Sequence, residues 1–253
     1  MILDAFNLAG KVAIVTGCDT GLGQGMTLGL AQAGCDIVGV NRKIPEETAV
    51  KVKALGRRFM AIQADLSQQD AIETIVTKAV AEMGRVDILV NNAGTIRRED
   101  ALSFSEKNWD DVMNLNLKSV FFLSQAVARQ FIAQGEGGKI VNIASMLSFQ
   151  GGIRVPSYTA SKSGVLGITR LLANEWAAHG INVNAIAPGY MVTNNTQALR
   201  DDDQRSKEIL DRIPAARWGN PEDLQGPVVF LASNASDYIN GYTLAVDGGW
   251  LAR

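Results

Sequence analysis

Seven short runs, apolar at their cores and rich in β-branched residues, recur along the chain. They are KVAIVTG (11–17), CDIVGVN (35–41), RFMAIQAD (58–65), VDILVNNAG (86–94), KIVNIAS (139–145), INVNAIAP (181–188) and YTLAVDGG (242–249). Their apolar positions follow one another rather than alternate, which is how strands buried on both faces read. Between them apolar residues fall at helical spacing, as in QQDAIETIVTKAVAEMG (68–84) and SGVLGITRLLANEWAAHG (163–180), whose closing Gly180 reads as a helix stop. NPEDLQGPVVFLAS (220–233) offers Asn220 as a helix cap and Pro221 at the first helical position. Strand–helix alternation with short connections predicts an α/β fold. It would be a doubly wound, seven-stranded parallel sheet with helices on both faces, one domain over 1–253. One stretch breaks the rhythm: residues 189–218 are polar and irregular. Ligands bind beyond the carboxyl ends of strands in such sheets, so this stretch is expected to be a lid-like substrate segment. Asp201, Asp202 and Asp203 within it read as a solvated charge run.

Composition narrows the partners. Hydrophobic residues make up 47% of the 253 and charged residues 20%, enough for a buried core. The formal net charge is −2 with both signs interleaved, which points away from nucleic acid and anionic membranes and toward a small molecule. Two cysteines, Cys18 and Cys35, and a single histidine, His179, make no metal or disulfide pattern, so no metal is expected. With no leader-like N-terminus and no apolar run of 18 residues, a soluble cytoplasmic protein is expected.

Candidate chemistry begins at TGCDTGLGQG, directly after the first run. Gly17, Gly21 and Gly23 space as G-x3-G-x-G, where missing side chains let backbone approach a pyrophosphate at a helix N-terminus. The second run ends in Asn41, Arg42 and Lys43 instead of a carboxylate for a ribose hydroxyl. Arg42, helped by Lys43, suits a 2′-phosphate and leans toward NADP; the plain alternative is two solvent-exposed cations. Asp65 and Leu66 close the third run, where a carboxylate can accept from an adenine amino group.

In VPSYTASKSG, Tyr158 and Lys162 stand four apart and share a face if Pro156 or Ser157 starts a helix. A free phenol titrates near pH ~10, and bringing it to ~7 takes about 4 kcal/mol. A nearby ammonium and a cationic nicotinamide would supply that, while desolvation of the lysine would oppose it. The phenol then becomes a general acid–base. Ser145 ends the fifth run at the same sheet edge as the glycine loop, able to hold a substrate oxygen or to close a local turn. Asn116 sits mid-helix, where asparagine is unfavourable; it reads either as a packing residue or as a perturbed backbone that holds a water near the lysine.

These residues resemble the short-chain dehydrogenase/reductase family, in its classical branch, over nearly the whole chain. The shared signatures are TGCDTGLG (16–23), NNAG (91–94), Asn116, Ser145, YTASK (158–162) and PG (188–189). The resemblance implies a Rossmann-type fold and an NAD(P)-dependent oxidoreductase. In the implied tetrad Tyr158 is the acid–base, Ser145 orients substrate oxygen, Lys162 binds the nicotinamide ribose, and Asn116 maintains a relay water. It also implies cofactor contacts from Gly17, Asp19, Thr20, Gly21, Leu22, Gly23, Asn41, Arg42, Asp65, Leu66, Asn91, Ala93 and Gly94. Pro188, Gly189, Met191 and Thr193 would sit by the nicotinamide and pyrophosphate, and a homotetramer is implied. Within the family, NIASMLSFQGGIRVPSYTASKSGV, NAIAPGYMVTNNTQALR and VDGGWLAR resemble the deoxy-sugar-acid dehydrogenases, usually NAD-linked. The implied reaction is reversible hydride transfer at a ketone or secondary alcohol of a deoxy-sugar acid. A carboxylate partner is then needed: Arg154 is the first candidate, Arg97 and Arg98 the second. Gln150, Tyr190, Asn194 and Trp250 are candidates for substrate contact or for packing. The rival readings are a 3-oxoacyl thioester reductase, which would want an apolar channel, and a catalytically silent dinucleotide-binding protein.

Overall fold

The computed structural model describes residues 1–68 and 70–253, apart from the side chain of Glu73. Seven strands form one parallel sheet: β1 (Val12–Thr16), β2 (Asp36–Asn41), β3 (Phe59–Gln63), β4 (Ile88–Asn91), β5 (Gly138–Ile143), β6 (Ile181–Pro188) and β7 (Thr243–Val246). Each lies inside the apolar run that predicts it, except that β5 starts one residue before its run. The order is β3-β2-β1-β4-β5-β6-β7, so the winding reverses between β1 and β4 and opens a crevice there.

The strands read as continuous apolar runs because alternate residues feed two cores. Val12, Ile14, Val38, Val40 and Leu89 pack on one face against α3 (Asp70–Met83) and α5 (Ser119–Gln134). Ala13, Val15, Ile37, Ile88 and Val90 pack on the other against α1 (Gly21–Gln32) and α9 (Gln225–Ala232). Gln69, in the predicted helix at 68–84, lies outside the described residues. The remaining helices are α2 (Glu46–Ala54), α4 (Glu106–Met113), α6 (Pro156–Trp176), α7 (Gln197–Arg200) and α8 (Asp203–Arg212). No helix among the described residues is long and apolar enough to cross a membrane.

Two elements differ from expectation in ways that shape the site. The helix expected over 163–180 begins earlier, with Pro156 in its first turn, which brings Tyr158 and Lys162 onto it. It ends at Trp176 and a short turn leads to Gly180, whose φ of +71° is the expected stop. Residues 189–218 are not irregular throughout: α7 and α8 lie within them. Ile209 and Ile213 are buried against Met146 and Trp250, while most other positions of α8 face water, so its pattern is weak in sequence. Asp202 accepts from Arg205 N–H at 3.0 Å and caps α8, a role beyond a solvated charge. At its far end Arg253 donates to the carbonyls of Arg212 and Asp211 at 3.0 and 2.7 Å.

Candidate active site

The glycine loop is held by its neighbours rather than by its own side chains. Gly17 N–H donates to Val40 O, and Cys18 N–H donates to Asn41 Oδ1 at 3.0 Å. Asn92 Nδ2 donates to Gly17 O at 2.8 Å, tying the loop to β4. A Cβ on Gly23 would lie 1.9 Å from Gly17 O, so only glycine lets α1 start this close to the loop. Gly17 and Gly21 both have positive φ. The first-turn N–H groups of α1 have no acceptor within the helix and face the crevice side. From the loop runs a cleft of about 980 Å³, lined by Gly17, Asp19, Asn41, Arg42, Lys43, Asp65, Leu66, Ala93 and Gly94. This size, the glycine cradle and the free helix end fit a dinucleotide. Among the described residues no carboxylate lies within ion-pair distance of Arg42 or Lys43. Asp65 Oδ1 accepts from Ser67 N–H and Oγ, which keeps its carboxyl below the usual range.

Asn91 is a correction. It does not line the cleft; its buried amide donates to Ser124 Oγ at 3.0 Å and Asn142 Oδ1 at 2.9 Å, inside a core polar network. Strand alternation points it away from the cleft, which the chain first reaches at Ala93 and Gly94. Thr20 is exposed at the α1 N-cap without lining either cavity, and Leu22 lines the substrate side instead.

The four expected side chains converge beside the cleft. Ser145 follows β5 and accepts from Leu147 N–H at 3.1 Å. Tyr158 lies one turn from Lys162, whose Nζ stands 5.7 Å from the phenol ring centroid and donates to Ile143 O at 2.6 Å. Burial depresses the Lys162 ammonium to a pKa of about 8. Asn116 lies in a π-helical turn, Asn114–Lys118, the backbone perturbation its mid-helix position suggests. Its amide is fully used: Oδ1 accepts from Thr95 N–H at 2.8 Å, and Nδ2 donates to Thr95 O at 2.8 Å and Ser161 Oγ at 3.3 Å. The tyrosine departs from expectation: burial raises its phenol pKa, while the Ser145 hydrogen bond and the Arg98 charge pull it down. Desolvation outweighs both, because the phenol is enclosed.

A second cavity of about 520 Å³ opens on Ser145 and Tyr158. Gln150, Tyr190 and Trp250 line it as substrate candidates, Pro188, Gly189, Met191 and Thr193, expected by the nicotinamide and pyrophosphate, line it as well, and Asn195 and Thr196 take the place expected of Asn194. Tyr190 packs edge-on against Trp218 and Trp250 at 5.5 and 4.8 Å. Arg154 is not in the wall. Its backbone is left-handed at φ +63°, and its exposed guanidinium pairs with Asp100 at 3.1 Å. Arg97 lines the cofactor cleft and reaches Asp111 at 3.5 Å. Arg98 does line the substrate cavity. So do Arg205, Glu208 and Arg212, which the sequence reading passes over although they share one face of α8 at i, i+3 and i+7.

The model of the short chain dehydrogenase family matches residues 11–204. The chain belongs to the short chain dehydrogenase family. It is an NAD(P)-dependent oxidoreductase. It is 78% identical to the 2-dehydro-3-deoxy-D-gluconate 5-dehydrogenase of Dickeya dadantii (strain 3937), with both chains fully covered. Identity to the Escherichia coli (strain K12) protein of that name is 77%, again over all of both chains. Among solved structures, a gluconate 5-dehydrogenase from Burkholderia cenocepacia J2315 in complex with NADP and tartrate is 39% identical. It superposes with a TM-score of 0.95 over all of both chains. Within the short chain dehydrogenase fold the end of β5, α6 and the π-helical turn between α4 and α5 bring the four side chains together.

Proposed function

We propose that this short chain dehydrogenase interconverts a ketone and a secondary alcohol on a deoxy-sugar acid, 2-dehydro-3-deoxy-D-gluconate being the expected substrate and 2-deoxy-D-gluconate the second choice. The observation that carries the reading is that Ser145 and Tyr158, backed by the buried Lys162 and Asn116, open on a cavity that also holds several guanidinium groups. The full-length relatives named above favour the same substrate class. The nicotinamide, when bound in the cleft, supplies or takes the hydride. Tyr158 gives its proton to the substrate oxygen during reduction and takes it back during oxidation, and Ser145 holds that oxygen. Both act more strongly on the developing alkoxide than on the ketone, so they lower the barrier rather than merely bind. Lys162 keeps a buried positive charge by the phenol, and Asn116 braces the Thr95 backbone against α6. A thioester reductase would want an apolar channel, which a wall carrying Arg98, Arg205 and Arg212 is not. A silent binding protein would have no use for the assembled tetrad. The test is a panel of uronate-derived keto acids run with NADH and NADPH, and of deoxygluconates run with NAD+ and NADP+. Turnover of neutral ketones in preference to the acids would overturn the reading.

Three finer expectations belong with it. Arg42 and Lys43, unpaired beside the cleft, favour NADP(H) over NAD(H). The groove between α5 and α6 exposes Ile132 and Leu171, supporting self-association into a homotetramer, which sedimentation would show directly. A cytoplasmic location follows from the small, soluble metabolite and is checked by cell fractionation.

A further inference from the structure

The substrate cavity carries three guanidinium groups, Arg98, Arg205 and Arg212, and one carboxylate, Glu208. Arg205 pairs with Glu208 at 2.9 Å. Among the described residues neither Arg98 nor Arg212 has a carboxylate within ion-pair distance. Two uncompensated cations in a concave wall select an anion.

The two are not equivalent. Arg98 gives Nη2 to the Asn195 carbonyl at 3.3 Å, and its charge is the one that reaches the Tyr158 hydroxyl. An acid group held there would compete with the ketone for the tyrosine. Arg212 closes α8 and lies flat on Trp250, its guanidinium carbon 3.9 Å from the ring centre. Stacking turns the N–H edges of the fork outward, where a planar carboxylate can meet them, although Nη2 already donates to Gln150. Gln150 stands beside it, its Oε1 3.4 Å from Nη2. Trp250 is itself buried, and its Nε1 has no acceptor. Arg253 fixes the backbone beneath through the Arg212 and Asp211 carbonyls. The fork is therefore placed before substrate arrives, and little ordering remains to be done on binding.

We propose that Arg212, stacked on Trp250 and flanked by Gln150, receives the substrate carboxylate and restricts this enzyme to acids. It rests on the sugar-acid reading of the site. Since Arg212 belongs to α8, an anionic substrate would also draw that helix onto the cavity.

The experiment compares 2-dehydro-3-deoxy-D-gluconate with its C1 methyl ester, each oxidised at saturating NADP+, for wild type, Arg212→Ala, Arg212→Lys and Arg98→Ala. NADPH binding by fluorescence titration reports whether each variant is folded. Arg212→Ala should raise KM for the acid about 10- to 100-fold, the range of a lost charge-assisted contact, with kcat moved less than about threefold. KM for the ester should move less than about threefold, and Arg212→Lys should recover part of the loss. Equal rises for acid and ester would reduce Arg212 to a packing residue and overturn the proposal. So would an acid-selective loss confined to Arg98→Ala. If wild type handles the ester as well as the acid, the sugar-acid reading fails before any variant is measured. Should Arg212→Ala not bind NADPH, Arg212→Gln keeps a polar planar group on Trp250 and decides the same comparison.

Discussion

Burial raises the Tyr158 phenol while Ser145 and Arg98 pull it down, so in the ligand-free protein the hydroxyl keeps its proton at neutral pH. That suits donation during reduction. Tyr158→Phe removes the donor with little change in volume, and kcat should fall about 10²- to 10⁴-fold with NADPH affinity nearly intact. A loss below tenfold would remove Tyr158 from the chemistry. Lys162 has a signature in stability. Its folded-state pKa, about 8, lies below the usual lysine value of 10.5, so the unfolded chain holds the proton more tightly. Stability from this residue therefore rises as pH climbs from about 8 to 10.5 and is lowest below that window. Lys162→Met should flatten this rise in denaturant titrations of the ligand-free protein; an unchanged slope would mean that the ammonium is not buried as described.

At the scale of elements, the glycine loop and α1 form one tightly fitted unit. A Cβ at Gly23 meets Gly17 O at 1.9 Å and Asn92 Nδ2 at 2.4 Å, so Gly23→Ala must displace backbone. Overpacking of this kind costs about 1–3 kcal/mol. Thermal unfolding should drop by about 3–10 °C, and NADPH affinity should fall at least tenfold as the loop moves off its phosphate-facing path. A tolerated alanine would show that the loop is looser than its contacts imply. The strands and most helices are legible in sequence because they rest on local periodicity. α8 is less so: Ile209 and Ile213 are buried, but they are recognisable as a docking face only against Met146 and Trp250, which are far away in the chain.

Across the whole molecule, the winding reversal between β1 and β4 places the cofactor cleft and the substrate cavity side by side along one sheet edge. A ligand that binds only the folded state raises the unfolding temperature in step with its affinity. NADPH should therefore stabilise the chain more than NADH at equal concentration. Arg42→Ala should erase most of that difference, and raising salt should shrink it. Equal shifts with the two cofactors in wild type would set aside the 2′-phosphate role of Arg42.

What the sequence determined by itself is what depends on neighbours along the chain. The apolar runs specified seven strands, the G-x3-G-x-G spacing specified a loop that can approach a phosphate, and the Tyr158–Lys162 interval placed both groups on one helical turn. Backbone geometry translates such intervals into positions with little freedom. The tertiary structure decided which side chains those positions serve. Asn91 sits within NNAG yet spends its amide in the core, because strand pleating turns it away from the cleft. Arg154 is four residues from Tyr158 yet points to Asp100, because its own backbone is left-handed. Arg212, 54 positions beyond that tyrosine, lines the same cavity because α8 folds back on two isoleucines. Electrostatic and burial effects act through space, and distance along the chain does not measure them.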